Sequence, residues 1–166
     1  MRPCGDPAGN IRRATQAFGV EPSNLQIEIT ESVLVDDSLE VRQGLLDLRQ
    51  LGCKISLDDF GTGYSSLAYL KHFVPDTLKI DQAFVRNLHT DQRDAAIVES
   101  ILALARSLGL LVVAEGIELQ AQLDWLLARG CQQGQGYLLG RPMSAARLVA
   151  QFAGQVESTA AGTRIA

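Results

Sequence analysis

No run of apolar residues in this 166-residue chain approaches the roughly 18 needed to cross a bilayer, and the opening MRPCGDPAGN lacks the apolar core of a signal peptide. A cytoplasmic location is therefore expected, either for the chain alone or as one piece of a membrane-tethered parent. Excess basic charge is missing too. The net charge of -4 excludes a general attraction to nucleic-acid polymers or anionic lipid, so a polyanionic ligand would need local help from metal or individual basic side chains. Cysteine is scarce: Cys4, Cys53 and Cys131 are odd in number and lack metal-site spacing, which argues for buried thiols in a reducing compartment rather than a disulfide framework. His72 and His89 are not spaced as a ligand pair. Aromatic residues form 5% of the chain, few for a sugar-stacking cleft, and the single tryptophan, Trp125, sits in an apolar helical face and reads as core.

What is present suffices for one hydrophobic core. Five short runs recur: LQIEI (Leu25 to Ile29), CKISL (Cys53 to Leu57), TLKI (Thr77 to Ile80), LLVVA (Leu110 to Ala114) and CQQGQGY (Cys131 to Tyr137). The first four read as buried strands; the fifth is polar and Gly-rich and is a strand mainly by its place in the series. Helices are predicted between them. One runs from a cap at Asp37 or Ser38 through Gln50, with Leu39, Leu45, Leu46 and Leu48 among its apolar positions and Gly52 as its stop. The longest opens at Thr90 or Asp91 and carries Ile97, Ile101, Leu104 and Leu108 as a stripe ended by Gly109. Others span about Leu119 to Ala128, before Gly130, and begin near Ser144, while Ser65 to Lys71 allows at most a short helix.

Strands that are buried on both faces and alternate with helices indicate an α/β fold with a parallel sheet. The unit spacing suits a (β/α)8 TIM-like barrel, which needs about 250 residues and eight strands. About five βα units are visible, so the barrel reads as incomplete, with its first strands missing. Residues 1–10 read as an unstructured leader, 11–153 as the partial barrel domain, with Ile11 to Phe18 a possible short helix, and 154–166 as a disordered tail.

Barrel chemistry gathers at the C-terminal ends of the strands. That position in successive units holds Glu28 and Glu31, then Asp58 and Asp59, then Lys79 and Asp81, then Glu115 and Glu118, then Gln135. Any one of these could be a helix cap or a solvated loop residue; five consecutive units delivering such groups is harder to credit to capping. The adjacent pair Asp58 and Asp59 leads into a loop hinged by Gly61 and Gly63. Two carboxylates so close stay ionised only if a cation offsets them, and hard oxygen ligands favour magnesium, manganese or calcium. A carboxylate-rich rim with one cation, Lys79, suits two-metal phosphoryl transfer. Lys79 could instead simply pair with a carboxylate. Glycoside hydrolysis by two carboxylates stays open as well, although it leaves the Asp58–Asp59 pair without a role. Gly134 and Gly136, flanking Gln135, could admit a ligand or mark a tight strand.

The motifs EITES (Glu28 to Ser32), DDFGTGYSSL (Asp58 to Leu67), LKID (Leu78 to Asp81), AEGIE (Ala114 to Glu118) and QGYLLGRPM (Gln135 to Met143) resemble, in order and spacing, the EAL-domain family of cyclic di-GMP phosphodiesterases. The resemblance covers roughly Ile11 to Phe152. It implies a barrel that hydrolyses cyclic di-GMP to linear pGpG with magnesium or manganese in a two-metal site. It further implies Glu28 and Asp58 as metal ligands, Asp58 bridging two ions and Asp59 serving the second. Lys79 would hold the nucleophilic water, Glu115 would act at the metal-bound water, and Gln135 would complete the pocket. Glu31 would brace the loop Phe60 to Ser66, a loop that in the family also takes part in dimerisation, and Asp81 and Glu118 would support the site. Diguanylate cyclase or sensory domains often accompany such barrels.

The chain departs from the family pattern in two places. Neither the Glu-Ala-Leu strand that names the family nor its Asn-bearing strand occurs in this sequence. A non-catalytic regulator that binds cyclic di-GMP or a protein through the remaining rim is therefore the alternative to a phosphodiesterase.

Overall fold

The computed structural model describes residues 6–35, 38–61, 70 and 73–153. The expected tail, the short helix from Ser65, Gly63, His72, Cys4 and the alternative cap Asp37 lie outside them, wholly or in large part. Helix α1, Pro7–Phe18, begins where the Asp6 carboxylate accepts the Gly9 N–H at 2.7 Å and Pro7 stands at the helix start. This corrects the leader expected through Asn10: residues 7–10 are helical, because the Asp–Pro pair that reads as loop chemistry is also an N-cap followed by a proline whose missing N–H costs nothing there.

Among the described residues five strands follow: β1 (Gln26–Thr30), β2 (Lys54–Phe60), β3 (Thr77–Ile80), β4 (Leu111–Ala114) and β5 (Gln133–Gly134). They form one open, all-parallel sheet in the order β1-β2-β3-β4-β5. Two boundaries differ from expectation. β2 continues past Leu57 through both aspartates to Phe60, and the Gly-rich fifth run keeps strand pairing at only Gln133 and Gly134.

Helix α2 (Glu31–Val35) follows β1 without a loop, and α3 (Leu39–Gln50) is capped by Ser38. Of the apolar positions expected on α3, Leu45 and Leu48 are buried, while Leu39 and Leu46 face out. Asp81 caps α4 (Gln82–Asn87), and Asp91 caps α5 (Gln92–Leu108), which ends at left-handed Gly109. The buried face of α5 is Val98, Ile101, Leu102 and Ala105, so the helix is rotated relative to the expected stripe and leaves Ile97 and Leu108 partly exposed. Helices α6 (Gln120–Ala128) and α7 (Ala145–Ala153) complete the order. Trp125 on α6 packs partly buried against the core, with the Arg129 guanidinium 3.7 Å from its ring.

The core centres on the middle of the sheet, where Ile55, Leu57, Leu78, Ile80, Val112 and Ala114 are buried. Each valine, leucine or isoleucine among them contributes roughly 1.5–3 kcal/mol by leaving water, which anchors β2 and β3 in the core. Because all five strands run the same way, their C-terminal ends share one rim, and the charged residues stand there. No described helix is long and apolar enough to cross a membrane.

Candidate active site

Lys79 is the hub of that rim. It lies on β3, where every residue from Thr77 to Ile80 is buried, and its side chain is 8% exposed. Its Nζ lies 3.0 Å from Glu28 Oε1 on β1, 3.1 Å from Asp58 Oδ1 on β2 and 2.7 Å from Glu115 Oε1 just beyond β4. An ammonium group has three protons to donate, and here each faces a carboxylate. Burial alone would lower the Lys79 pKa, but the hydrogen bonds with Glu115, Glu28 and Asp58 outweigh it and hold the pKa well above the ordinary lysine value. The group is a fixed cation.

Asp58 and Asp59 do not act as a side-by-side pair. Successive side chains on a regular strand alternate faces, and here the pairing register also breaks between Leu57 and Phe60. Asp59 adopts φ 54°, a left-handed conformation tolerated by Asp better than by most residues. The resulting bulge aims Asp58 at Lys79, where it also accepts the Asp59 N–H at 3.1 Å. The Asp59 carboxyl hydrogen-bonds instead to Asp81. Desolvation, that hydrogen bond and the charges of Asp58, Asp81 and Glu115 together raise the Asp59 pKa above the usual carboxylate value. Asp81 meanwhile caps α4 by accepting the Ala83 N–H at 2.6 Å.

The other expected residues are placed less centrally. Glu31, at the start of α2, is buried; most of the loop it is expected to brace lies outside the described residues. Gly61 ends the described part of that loop at φ 96°, where an added Cβ would approach the Phe84 ring to 3.2 Å. Gln135 ties β5 to the rim through its backbone, donating to Ala114 O at 2.8 Å and accepting from Ile117 N at 3.0 Å. It also lines a cavity of about 700 Å³ shared with Tyr137, Arg141 and Met143. Glu118 is exposed and joins the site only through its backbone N–H, which donates to Gln122 Oε1 at 2.8 Å. Gln122 is the residue that sequence reasoning misses. Its signal, a Gln at the third position of α6, is half of a capping box whose other half, at Leu119, has no side-chain acceptor.

Among the described residues no group of three or more His, Cys, Asp or Glu side chains is placed to hold a metal ion. The physical reason is visible: Glu28, Asp58 and Glu115 are aimed at Nζ of Lys79. By chemistry, hard carboxylate oxygens in excess over one buried cation fit a hard divalent ion.

The model of the EAL domain family matches residues 7–142. The chain is 48% identical over 144 residues to the bifunctional diguanylate cyclase/cyclic di-GMP phosphodiesterase MucR of Pseudomonas aeruginosa, a match covering 87% of this chain and 21% of that protein. It thus spans about a fifth of that relative's length. Among solved structures, the PaMucR phosphodiesterase in its cyclic di-GMP complex superposes with a TM-score of 0.82 at 46% identity, covering 88% of this chain and 59% of that one. Klebsiella pneumoniae BlrP1 in its manganese and cyclic di-GMP complex gives a TM-score of 0.79 at 37% identity, covering 84% and 36%. The open parallel sheet therefore corresponds to part of a TIM-like barrel.

Proposed function

The chain belongs to the EAL domain family, and from that membership and the rim geometry we propose that it supplies the greater part of a divalent-metal-dependent phosphodiesterase site that hydrolyses cyclic di-GMP to pGpG. The observation that carries this reading is the convergence of Glu28, Asp58 and Glu115, from the first, second and fourth βα units, on Lys79 of the third. Relatives that bear the same activity in their names, and a solved relative holding manganese with cyclic di-GMP, support it.

Glu28, Asp58 and Asp59 are the residues that would hold magnesium or manganese, an ion that supplies an activated water and shields phosphate charge. Lys79 orients the attacking water and offsets the negative charge that grows on the phosphodiester in the transition state. Its raised pKa keeps it from being the base. Glu115, 2.7 Å from Nζ, would act at the metal-bound water. Gln135 lines the neighbouring cavity and would contact the nucleotide.

A second reading has its own observation. With Glu28, Asp58 and Glu115 all engaged by Lys79, nucleotide binding without turnover is the alternative. The test is to incubate the chain with cyclic di-GMP and Mn2+ and follow pGpG by chromatography, alongside Glu115→Gln. Metal-dependent pGpG formation that the substitution abolishes is the expected result. Binding without product favours the regulator, and neither binding nor product overturns both.

A further inference from the structure

We propose that Gln122 is a positioning residue that locks the Glu115-bearing loop to the unit carrying Lys79. Its side chain is 2% exposed, although Gln is among the residues seldom buried completely. Oε1 accepts the N–H groups of Glu118 and Leu119, each at 2.8 Å, and Nε2 donates to the Arg86 carbonyl at 2.9 Å. One amide thus joins three places: the loop after β4, the start of α6 and the last turn of α4. The geometry explains why this matters to the rim. Lys79 and α4 belong to one βα unit, Glu115 and α6 to the next, and the Lys79–Glu115 contact crosses between them.

The loop between Glu115 and Leu119 is otherwise held by few bonds. Glu115 N donates to Ile80 O at 3.1 Å, Ile117 N donates to Gln135 O at 3.0 Å, and Ile117 O accepts from Leu138 N at 3.0 Å. Ile117 is buried and pressed against Gly136, where an added Cβ would meet Ile117 O at 2.2 Å. Glu118 and Leu119 turn back toward α6, and Gln122 satisfies both of their N–H groups. Without it two N–H donors, one at the loop end and one at the cap of α6, lose their acceptor, and the Arg86 carbonyl loses its donor. The loop then keeps the packing of Gly116 against Gln82 at the start of α4 but loses its hydrogen-bonded tie to the end of that helix, and with it the fixed approach of Glu115 to Nζ.

The inference about geometry stands without any reaction; its consequence for turnover rests on the phosphodiesterase reading. The test uses the full, metal-free chain and two variants. Gln122→Met keeps the shape and removes every side-chain hydrogen bond. Gln122→Glu keeps the acceptor for both N–H groups and removes the donor to Arg86 O. Amide hydrogen exchange is read at Glu118 and Leu119, with the amides of β2 and β3 reporting global opening, and the Lys79 ammonium resonance is read by NMR.

In Gln122→Met, exchange at Glu118 and Leu119 is expected to rise at least tenfold beyond the change at β2 and β3, with the Lys79 ammonium signal shifted or broadened away. In Gln122→Glu the protection of both amides returns. If Gln122→Met changes all amides in parallel and leaves the Lys79 signal in place, Gln122 is ordinary core and the proposal is overturned. Should Gln122→Met fail to fold, Gln122→Glu, which breaks the tie to Arg86 O, decides alone: a folded chain with the parent's Lys79 ammonium signal overturns it, and a shifted or broadened signal with protection kept at β2 and β3 supports it. All readouts are taken without nucleotide, so absence of hydrolysis by the unaltered chain sinks the phosphodiesterase reading and leaves these results untouched.

Discussion

Asp58 and Asp59, neighbours in the chain, turn to different partners: Asp58 Oδ1 lies 3.1 Å from Lys79 Nζ, whereas the Asp59 carboxyl bonds to Asp81 from a backbone at φ 54°. The bulge gives Asp58 a cation, while Asp59, with Asp58, Asp81 and Glu115 as charged neighbours, has its pKa raised. Each carboxylate therefore responds differently to removal.

Asp59→Asn tests the second half of that arrangement. Burial and neighbouring charges raise the Asp59 pKa in the folded chain. The linked stability is then fully present below the unfolded value, about pH 4, and is lost as pH rises through the folded pKa. Asn carries no charge at any pH and also tolerates a left-handed backbone. In chelator-treated buffer the variant is expected to melt above the parent at pH 7 and to lose that advantage by pH 4. Equal melting temperatures at both pH values would show that Asp59 titrates normally.

Lys79→Met strands three carboxylates around an empty centre. Removing one partner of a buried ion pair costs about 3–5 kcal/mol when both groups are fully buried. Here the carboxylates retain 50%, 23% and 20% of their exposure, so a smaller loss of about 2 kcal/mol is expected in urea unfolding. Adding Mn2+ should recover part of it by replacing the missing charge. A variant as stable as the parent without metal would refute the hub role.

Gly136→Ala and Gly140→Ala form a matched pair. A Cβ on Gly136 would meet Ile117 O, N and C at 2.2, 2.3 and 2.7 Å, all backbone atoms that cannot swing aside. Gly140 has nothing within 4 Å and no left-handed φ. The first substitution is expected to destabilise by about 2 kcal/mol or more. The second should stabilise slightly, by about 0.5 kcal/mol, through the unfolded state. Equal melting shifts would contradict the close approach of Gly136 to the Ile117 backbone.

Cys53 and Cys131 are buried, and burial raises the pKa of each thiol. The thiolate is the reactive form. Iodoacetamide at pH 8, followed by peptide mapping, is expected to leave both unmodified in the native chain and label both in urea. Native labelling at either position would show that its surroundings open readily.

These outcomes follow from features that the sequence discloses unevenly. The strands and the Glu28, Asp58, Lys79 and Glu115 set are legible because buried parallel strands read as continuous apolar runs and place polar residues at one rim. Helices α2 and α4 are not, since five or six residues are too few to display helical periodicity. The split of Asp58 from Asp59 depends on a backbone angle that no spacing rule encodes. Gln122 hides because its helix starts at Leu119 without the Ser, Thr or Asp that normally announces a cap. The start of α1 is lost in the opposite way, since Asp6 and Pro7 resemble a turn.

The all-parallel sheet also dictates the order in which the molecule can come together. Parallel neighbours cannot be joined by a tight turn, so no two strands here can zip as a local hairpin. Each ladder must wait for an intervening stretch of chain to be gathered in, and such non-local closure slows folding. The Lys79 contacts draw on β1, β2, β3 and the segment after β4. They cannot exist until four units have docked, so a probe at the Lys79 ammonium would report the completion of folding rather than its onset.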